Sequence, residues 1–513
     1  MRRRLAAWDV AIGLARLAAG LTQVRRTGGR GPLLLVSSVR RYGLTHAALG
    51  ALATRRDPDG LALVDDEGEL SYAGLDQRAA GVAASLAARA EPARVGVLCR
   101  NGRGFVIAVL AAGRVGADTV LLDPDLPPAA LNVVLDRERV EVLLVDEPVP
   151  DGVDLPAIDI RTAGDTTCPG SRAGRGAGRL VVLTSGTTGG PKGAHRGPAR
   201  LGQAVPVATL VRGVRLRAGE PMVLLPPMFH GYGLGFLALA LGFGTPVLLS
   251  RRFDPDRAVE LLRRYEARTL VAVPAMLARV VRALPGDVPP VRVVVSAAGQ
   301  LHPAVSEAVI EAFGPVLVNL YGSTEDGWST LATPADLVAA PGTIGRPASG
   351  VRVEVLDDDG RPVPHGMTGH LCVGSRLEFS HYTGGGTRRR LGGLADTGDL
   401  GHRAPSGLLF VDGRADDLVV TGGENVLVTE VEGVLLAHPE VADVRVDGLP
   451  DAELGARLVA TVVPRTQPAR EGLAEELVAF VVDRLGWPRR PREVRFAADL
   501  PVTATGKHRR SAH

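Results

Sequence analysis

The sequence predicts an α/β protein: a large N-terminal domain of layered parallel sheets and helices with a small β subdomain, then a small α+β domain at the C-terminus. Short apolar runs alternate with helical patterns over most of the chain, the order expected of parallel strands joined by crossover helices. Around Val351–Leu356 and Leu408–Val411 the runs turn shorter and turn-linked, as in a β subdomain. At 513 residues the chain is too long for one ordinary core, so at least two domains are required.

The expected strands are Val95–Cys99, Thr119–Leu122, Val142–Val145, Leu180–Leu183, Met222–Leu225, Pro246–Leu249, Leu270–Val273, Val291–Val295 and Val316–Leu320. Between them, Gly104–Gly116 and Pro255–Tyr265 have helical spacing. The glycine-rich piece Cys168–Gly178 reads as a loop. A compact unit follows Arg414, with helices expected over Val426–His438 and Leu473–Leu485. The domains are drawn at residues 1–44 (an N-terminal helical extension), 45–412, a boundary at 413–417, and 418–513.

Hydrophobic residues make up 45% and charged residues 22%, a globular balance and not a disordered one. A formal charge of +3 gives no support for nucleic-acid binding. Cys99, Cys168 and Cys372 lie far apart without metal-ligand spacing, and read as reduced thiols of a cytoplasmic protein. In Met1–Arg26, Asp9 and Arg16 interrupt the apolar run, which argues against a membrane span or signal peptide. Val10, Leu14, Leu17, Leu21 and Val24 instead recur at helical spacing. That amphipathic helix either packs on its own domain or rests on a membrane surface, with arginines at both ends. Only two lysines occur, Lys192 and Lys507; every other basic side chain except histidine is arginine.

The strongest local signal is Thr184-Ser185-Gly186-Thr187-Thr188-Gly189-Gly190-Pro191-Lys192-Gly193, directly after an expected strand. Hydroxyls, small residues and one cation can wrap phosphate oxygens with backbone N–H groups. It is not a Walker loop, because Pro191 precedes the lysine and Gly193 follows it. Taken alone, the stretch reads equally as a surface loop.

This run resembles the phosphate-loop signature of the adenylate-forming superfamily: acyl-CoA synthetases, luciferases and nonribosomal-peptide adenylation domains. Further stretches match in order: Tyr321-Gly322-Ser323-Thr324-Glu325, Asp396-Thr397-Gly398-Asp399, Gly413-Arg414-Ala415-Asp416-Asp417, Gly422-Gly423-Glu424-Asn425, and Pro501 to Lys507. The likeness covers about residues 45 to 510. The runs Val97–Phe105 and His381–Gly386 resemble bacterial fatty-acyl-CoA ligases most.

The resemblance implies ATP, Mg²⁺ and CoA as cofactor and co-substrates, a small carboxylic acid as substrate, and a mobile C-terminal domain. Joining a carboxylate to the α-phosphate brings two anions together, so catalysis rests on positioning and cationic stabilisation. Glu325 is then the Mg²⁺ ligand. Thr324 contacts the α-phosphate, and Lys507 places a point charge on the carboxylate and bridging oxygen. Asp399 accepts the ribose hydroxyls, and Arg414 binds ribose or phosphate. Thr184, Ser185, Gly186, Thr187, Thr188, Gly189, Lys192, Tyr321, Gly322 and Ser323 belong to the ATP site, with Ala298, Gly299 and Asn319 around the adenine and the acid. Asp416 is the hinge, and rotation about it exchanges Lys507 for the thioester loop Gly422, Gly423, Glu424 and Asn425.

His230 closes the run Pro226-Pro227-Met228-Phe229-His230, and the resemblance places it at the entrance of the acyl tunnel. The following GLGFLALALGFG has no acidic group to hold an ammonium, which points to an aliphatic acid. Three departures stand out: Asp326 adds negative charge beside Glu325, Val428 stands where relatives have proline, and His381 replaces a glycine. The leading expectation is an ATP-dependent acid–CoA ligase, specifically a fatty-acyl-CoA synthetase. An acyl-AMP ligase loading a carrier protein and a non-catalytic binding homologue are the alternatives.

Overall fold

The computed structural model describes residues 18, 30–89, 93–163, 178–184, 192–195, 204–286, 290–379, 381–383, 388–421, 424–451 and 453–500. Two large sheets organise the N-terminal part. The first has nine strands in the order Arg346–Pro347, Gly327–Ala332, Leu317–Ser323, Val293–Ser296, Thr269–Ala272, Met222–Leu224, Val247–Leu248, Leu61–Asp65, Gly68–Ser71. Its six central strands are parallel and its edges antiparallel. The second has seven, in the order His381–Tyr382, Lys192–His195, Leu180–Thr184, Asp118–Leu121, Arg94–Leu98, Val142–Val145, Ala157–Asp159. Five of these run parallel.

The sequence explains the layering. The helix Arg103–Val115 is apolar on nearly every side and almost wholly buried, as a helix covered all round must be. It lies with the helices Tyr72–Ala87 and Gly231–Phe243 in a core that also holds Leu63, Val271 and Val295 of the first sheet and Val97, Leu121 and Leu144 of the second. The far face of the first sheet is covered by Pro255–Arg264, Pro274–Ala283 and Pro303–Phe313, and that of the second by Pro128–Glu138. The Pro255–Arg264 helix keeps one apolar stripe inward, and Asp254 caps it by accepting from the N–H groups of Asp256 and Arg257.

A five-stranded antiparallel sheet of Arg352–Leu356, Gly369–Gly374, Leu394–Arg403, Arg390–Leu391 and Leu409–Arg414 forms the β subdomain. One 3₁₀ turn, Ala415–Asp417, leads to the hairpin Leu418–Thr421 and Glu424–Leu427. A three-stranded sheet and the helices Val428–Leu436 and Leu473–Leu485 then share their own core.

The expected strands are present, Val142–Val145 with both ends as expected and the others with ends shifted by at most three residues. One helix needs correction: Val426 and Leu427 belong to a strand, paired with Val419 and Leu418, so the helix begins at Val428. At the N-terminus, Gly31–Tyr42 and His46–Arg56 are helical. The Met1–Arg26 segment, Ala18 apart, lies outside the described residues. No described helix is long and apolar enough to cross a membrane.

Candidate active site

The strand Leu317–Ser323 turns back into Gly327–Ala332, with Ser323 opposite Gly327, so Thr324, Glu325 and Asp326 form the tip of a hairpin. Two glycines make the turn possible. Gly327 has φ +70°, the left-handed region, and a Cβ at Gly322 would collide with the carbonyl oxygen of Gly327. Asp326 closes the turn from inside: its Oδ2 accepts from Ser323 Oγ at 2.8 Å, and its N–H donates to the same hydroxyl at 3.1 Å. Thr324 and Glu325 remain half-buried at the tip.

Glu325 is held from the other side. Tyr382 Oη donates to Glu325 Oε1 at 2.8 Å, and the Phe379 N–H donates to the Glu325 carbonyl at 2.6 Å. Tyr382 sits on the edge strand paired with Lys192–His195, which pairs in turn with Leu180–Thr184. One tyrosine therefore ties the hairpin tip to the two strands that enter and leave the glycine-threonine loop. Burial, then the adjacent Glu325 carboxylate, push the Tyr382 phenol well above its usual range, so it stays a donor. Thr383 continues the tie, donating from its backbone to Gly193 O at 2.9 Å and from its hydroxyl to the buried Glu138 at 3.0 Å.

The extra negative charge expected from Asp326 is cancelled in place. Arg388 Nη1 lies 2.5 Å from Asp326 Oδ2, with both side chains largely buried. Burial disfavours the guanidinium's charge, but the Asp326 carboxylate outweighs it and raises the arginine pKa.

Two residues before the end of the same strand, Tyr321 Oη donates to Asp399 Oδ2 at 2.7 Å, and Arg414 Nη1 lies 3.2 Å from Asp399 Oδ1. A bulge at Asp396-Thr397-Gly398 within the strand Leu394–Arg403 aims Asp399: Asp396 accepts from the Gly398 N–H at 2.9 Å, and Thr397 Oγ1 accepts from the Asp399 N–H at 3.1 Å. One strand over, Ala298 takes φ +64° just beyond Val293–Ser296 and leads into exposed Gly299. Asn319 is 2% exposed and donates through Nδ2 to Thr343 O at 3.1 Å. Its Oδ1 has no partner among the described residues.

His230 is the residue before the helix Gly231–Phe243, half-exposed, with its ring centroid 4.6 Å from that of Phe229. Its approach is fixed by Asn101, whose Nδ2 donates to Pro226 O at 3.1 Å and whose Oδ1 accepts from the Met228 N–H at 2.8 Å. Tyr232 anchors the helix to the first sheet, donating to Val295 O at 2.9 Å and Ala272 O at 3.3 Å.

A family model described as AMP-binding enzyme matches residues 51–383, and one described as AMP-binding enzyme C-terminal domain matches residues 430–507. The chain belongs to the AMP-binding enzyme family. Among its relatives, the sulfoacetate–CoA ligase of Cupriavidus necator is 32% identical over 73% of this chain and 74% of its own. The medium/long-chain-fatty-acid–CoA ligase FadD8 of Mycobacterium tuberculosis is 29% identical over 76% and 72% respectively. The crystal structure of ATP-bound MatB from Rhodopseudomonas palustris is 25% identical, with a TM-score of 0.76 over 91% of this chain and 97% of that one.

Within this AMP-binding enzyme, Tyr321, Gly322, Ser323, Thr324, Glu325, Asp399 and Arg414 gather along one strand and its neighbours. Asn319 lies on that same strand, and Ala298 and Gly299 follow the strand beside it. Thr184 and Lys192 face each other as a backbone pair. Ser185, Gly186, Thr187, Thr188, Gly189, Gly422, Gly423 and Lys507 lie outside the described residues. Glu424 and Asn425 stand in the first hairpin after the 3₁₀ turn, and Asp416 is exposed within that turn. Sequence reasoning did not assign roles to Tyr382, Arg388 or Asn101. The first two reach the hairpin from a distant segment, and only the acid following Glu325 hinted that a cation must answer it.

Proposed function

We propose that this protein is an ATP-dependent acid–CoA ligase acting on an aliphatic carboxylic acid. A substrate carboxylate oxygen attacks the α-phosphorus of ATP and pyrophosphate leaves. The CoA sulfur then attacks the acyl carbon, AMP leaves, and the thiol proton passes to solvent. The observation that carries this reading is the closing end of the strand Leu317–Ser323, where Tyr321 holds a ribose-suited carboxylate, Asp399, three residues before a phosphate-suited tip, Thr324 and Glu325.

Asp399 offers two oxygens in one plane to two adjacent hydroxyls, and Arg414 beside it faces the sugar or phosphate. Glu325 suits Mg²⁺, a hard cation bound through one or two carboxylates plus substrate phosphates. When bound, Mg²⁺ neutralises phosphate charge as it builds. Thr324 orients the α-phosphate. Lys192 and Lys507 supply the cations, in a chain that uses arginine everywhere else. The 3₁₀ turn at Asp416 is read as the hinge between domains 45–412 and 418–513, about which the smaller domain exchanges Lys507 for the Gly422–Asn425 loop.

The acid's nature is read from the helix after His230. It carries no charged side chain, and its less buried positions Gly231, Tyr232, Gly235, Ala238 and Leu239 recur at helical spacing. Apart from the helix's own backbone and their chain neighbours, no atom of a described residue lies within 4 Å of a Cβ built on Gly231 or Gly235. An uncharged strip with small residues at Gly231, Gly235 and Ala238 suits an alkyl chain better than an ammonium or a second carboxylate.

An acid panel tests the reading, with AMP, CoA and acyl-CoA followed together. AMP is expected only with acid and Mg²⁺, and medium or long aliphatic acids are expected to lead. Each added CH₂ should improve kcat/KM by about fourfold, until the pocket ends, at about 0.8 kcal/mol per methylene. Faster turnover of amino acids or of sulfoacetate would remove the aliphatic assignment. Acyl-AMP that accumulates with CoA untouched would point to a carrier protein as acceptor.

A further inference from the structure

The hairpin tip that presents Thr324 and Glu325 is held at three points by Phe379, Tyr382 and Arg388. Phe379 binds the Glu325 backbone, Tyr382 binds its carboxylate, and Arg388 pairs with Asp326. The third contact has a distinct character. Asp326 is 1% exposed, so its charge is removed from water and needs a partner in place. Arg388 supplies it at 2.5 Å. The Asp326 oxygen that Arg388 holds is the same Oδ2 that receives the Ser323 hydroxyl. The other oxygen, Oδ1, has no partner among the described residues. Arg388 therefore fixes the carboxylate at the point where it closes the turn.

We propose that Arg388 is a positioning residue for nucleotide binding: by pairing with Asp326 it sets the hairpin that offers Thr324 and Glu325, and cancels a negative charge adjoining the Mg²⁺-facing acid. Without Arg388, Asp326 has two escapes. It can swing out to water and release the turn, or stay and repel Glu325 and the incoming phosphates. Both weaken binding of Mg·ATP. Neither removes a direct partner of Asp399, whose two oxygens are held by Tyr321 and Arg414. The pair works as a unit, so removing both charges should harm less than removing the arginine alone. The inference rests on the assignment of Thr324 and Glu325 to the phosphate side.

The test is calorimetric binding of Mg·ATP and of metal-free AMP to the full-length wild type, Arg388→Gln, Asp326→Ser and the double variant, with urea unfolding midpoints for each. Arg388→Gln is expected to weaken Mg·ATP binding about 10–100-fold, the range for groups that orient a metal-facing residue, while AMP binding holds. The double variant should regain most of that loss. If Arg388→Gln does not fold, Arg388→Lys keeps the charge and loses the planar fork, and should show a smaller loss of the same kind. Unchanged Mg·ATP binding in a folded Arg388 variant overturns the proposal, as does equal weakening of Mg·ATP and AMP or a double variant no better than Arg388→Gln. Wild-type protein that binds AMP but not Mg·ATP would instead overturn the underlying assignment of the hairpin tip.

Discussion

Tyr321 and Asp399, 78 residues apart, meet through a 2.7 Å hydrogen bond that fixes one carboxylate oxygen, while Arg414 stands 3.2 Å from the other. The carboxylate is thereby oriented before any ligand arrives. Hydrogen bonds to charged groups contribute about 1.5–3 kcal/mol, so Tyr321→Phe should raise the KM for ATP by about tenfold or more and leave the KM for the acid unchanged. The pH behaviour follows from the phenol. Burial and the Asp399 charge push its pKa well above the usual tyrosine range. A raised phenol donates below its folded-state pKa and stops as pH rises through it. Steady-state kinetics should therefore show no loss of this contact up to about pH 10, the ordinary tyrosine value. An ATP KM that climbs between neutrality and that point in wild type, and not in Tyr321→Phe, would contradict the assignment.

Tyr382 has a different task. It keeps Glu325 turned toward the loop-flanking strands, so Tyr382→Phe should act on metal dependence. We expect the Mg²⁺ concentration for half-maximal activity to rise about 10–100-fold, as for other partners of metal-facing groups, with much of the rate restored at saturating Mg²⁺. Titration of activity with Mg²⁺ at fixed ATP checks this. A lowered rate with an unchanged Mg²⁺ midpoint would place Tyr382 outside the metal's influence.

The sequence made the strands and their parallel order legible because each is a short β-branched run that parallel pairing buries, such as Val293–Ser296 or Thr269–Ala272. It was less clear where strand yields to helix. Val426 and Leu427 read as the start of a helical stripe, but the hairpin pairing with Leu418–Thr421 claims them first. At the site, residues inside contiguous motifs could be named from order alone. Tyr382 and Arg388 could not, because their roles depend on an edge strand, His381–Tyr382, docking beside Lys192–His195. Pairing across about 190 residues leaves no local periodicity to read. Asn101 was hidden for another reason: a buried amide bridging two backbone groups has the same sequence signature as any turn asparagine.

That amide gives a prediction separating stability from chemistry. Asn101 is 7% exposed and satisfies both Pro226 O and the Met228 N–H. Asn101→Ala leaves these two groups unpaired at about 1–3 kcal/mol each, so the urea midpoint should fall clearly. The released Pro226–His230 run should also raise the KM for the acid more than that for ATP, because it leads into His230 and contributes no partner to Asp399. Equal rises in both constants would show that the run does not address the acid.

The chain leaves Leu409–Arg414, makes one 3₁₀ turn at Ala415–Asp417 and enters Leu418–Thr421, with Asp416 exposed in the turn. In this arrangement the two sides already touch: Thr429 Oγ1 donates to Asp412 O at 2.6 Å, and Arg282 Nη1 donates to Ala442 O at 3.2 Å. Exchange of Lys507 for the Gly422–Asn425 loop requires the second contact to break and the backbone at Asp416 to rotate. Proline at 416 fixes φ near −65°, a value compatible with a 3₁₀ turn, so Asp416→Pro should fold with an unfolding midpoint close to wild type. Rotation is what it should impede. We expect pyrophosphate exchange, which reports adenylate formation, to survive, while thioester formation from supplied acyl-AMP slows by about tenfold, equivalent to about 1.4 kcal/mol on that step's barrier. Each half-reaction is measured separately on the same preparation. Matching losses in both, in a folded variant, would mean that one arrangement of the domains serves the whole reaction, and that the turn at Asp416 is a connection without a hinge.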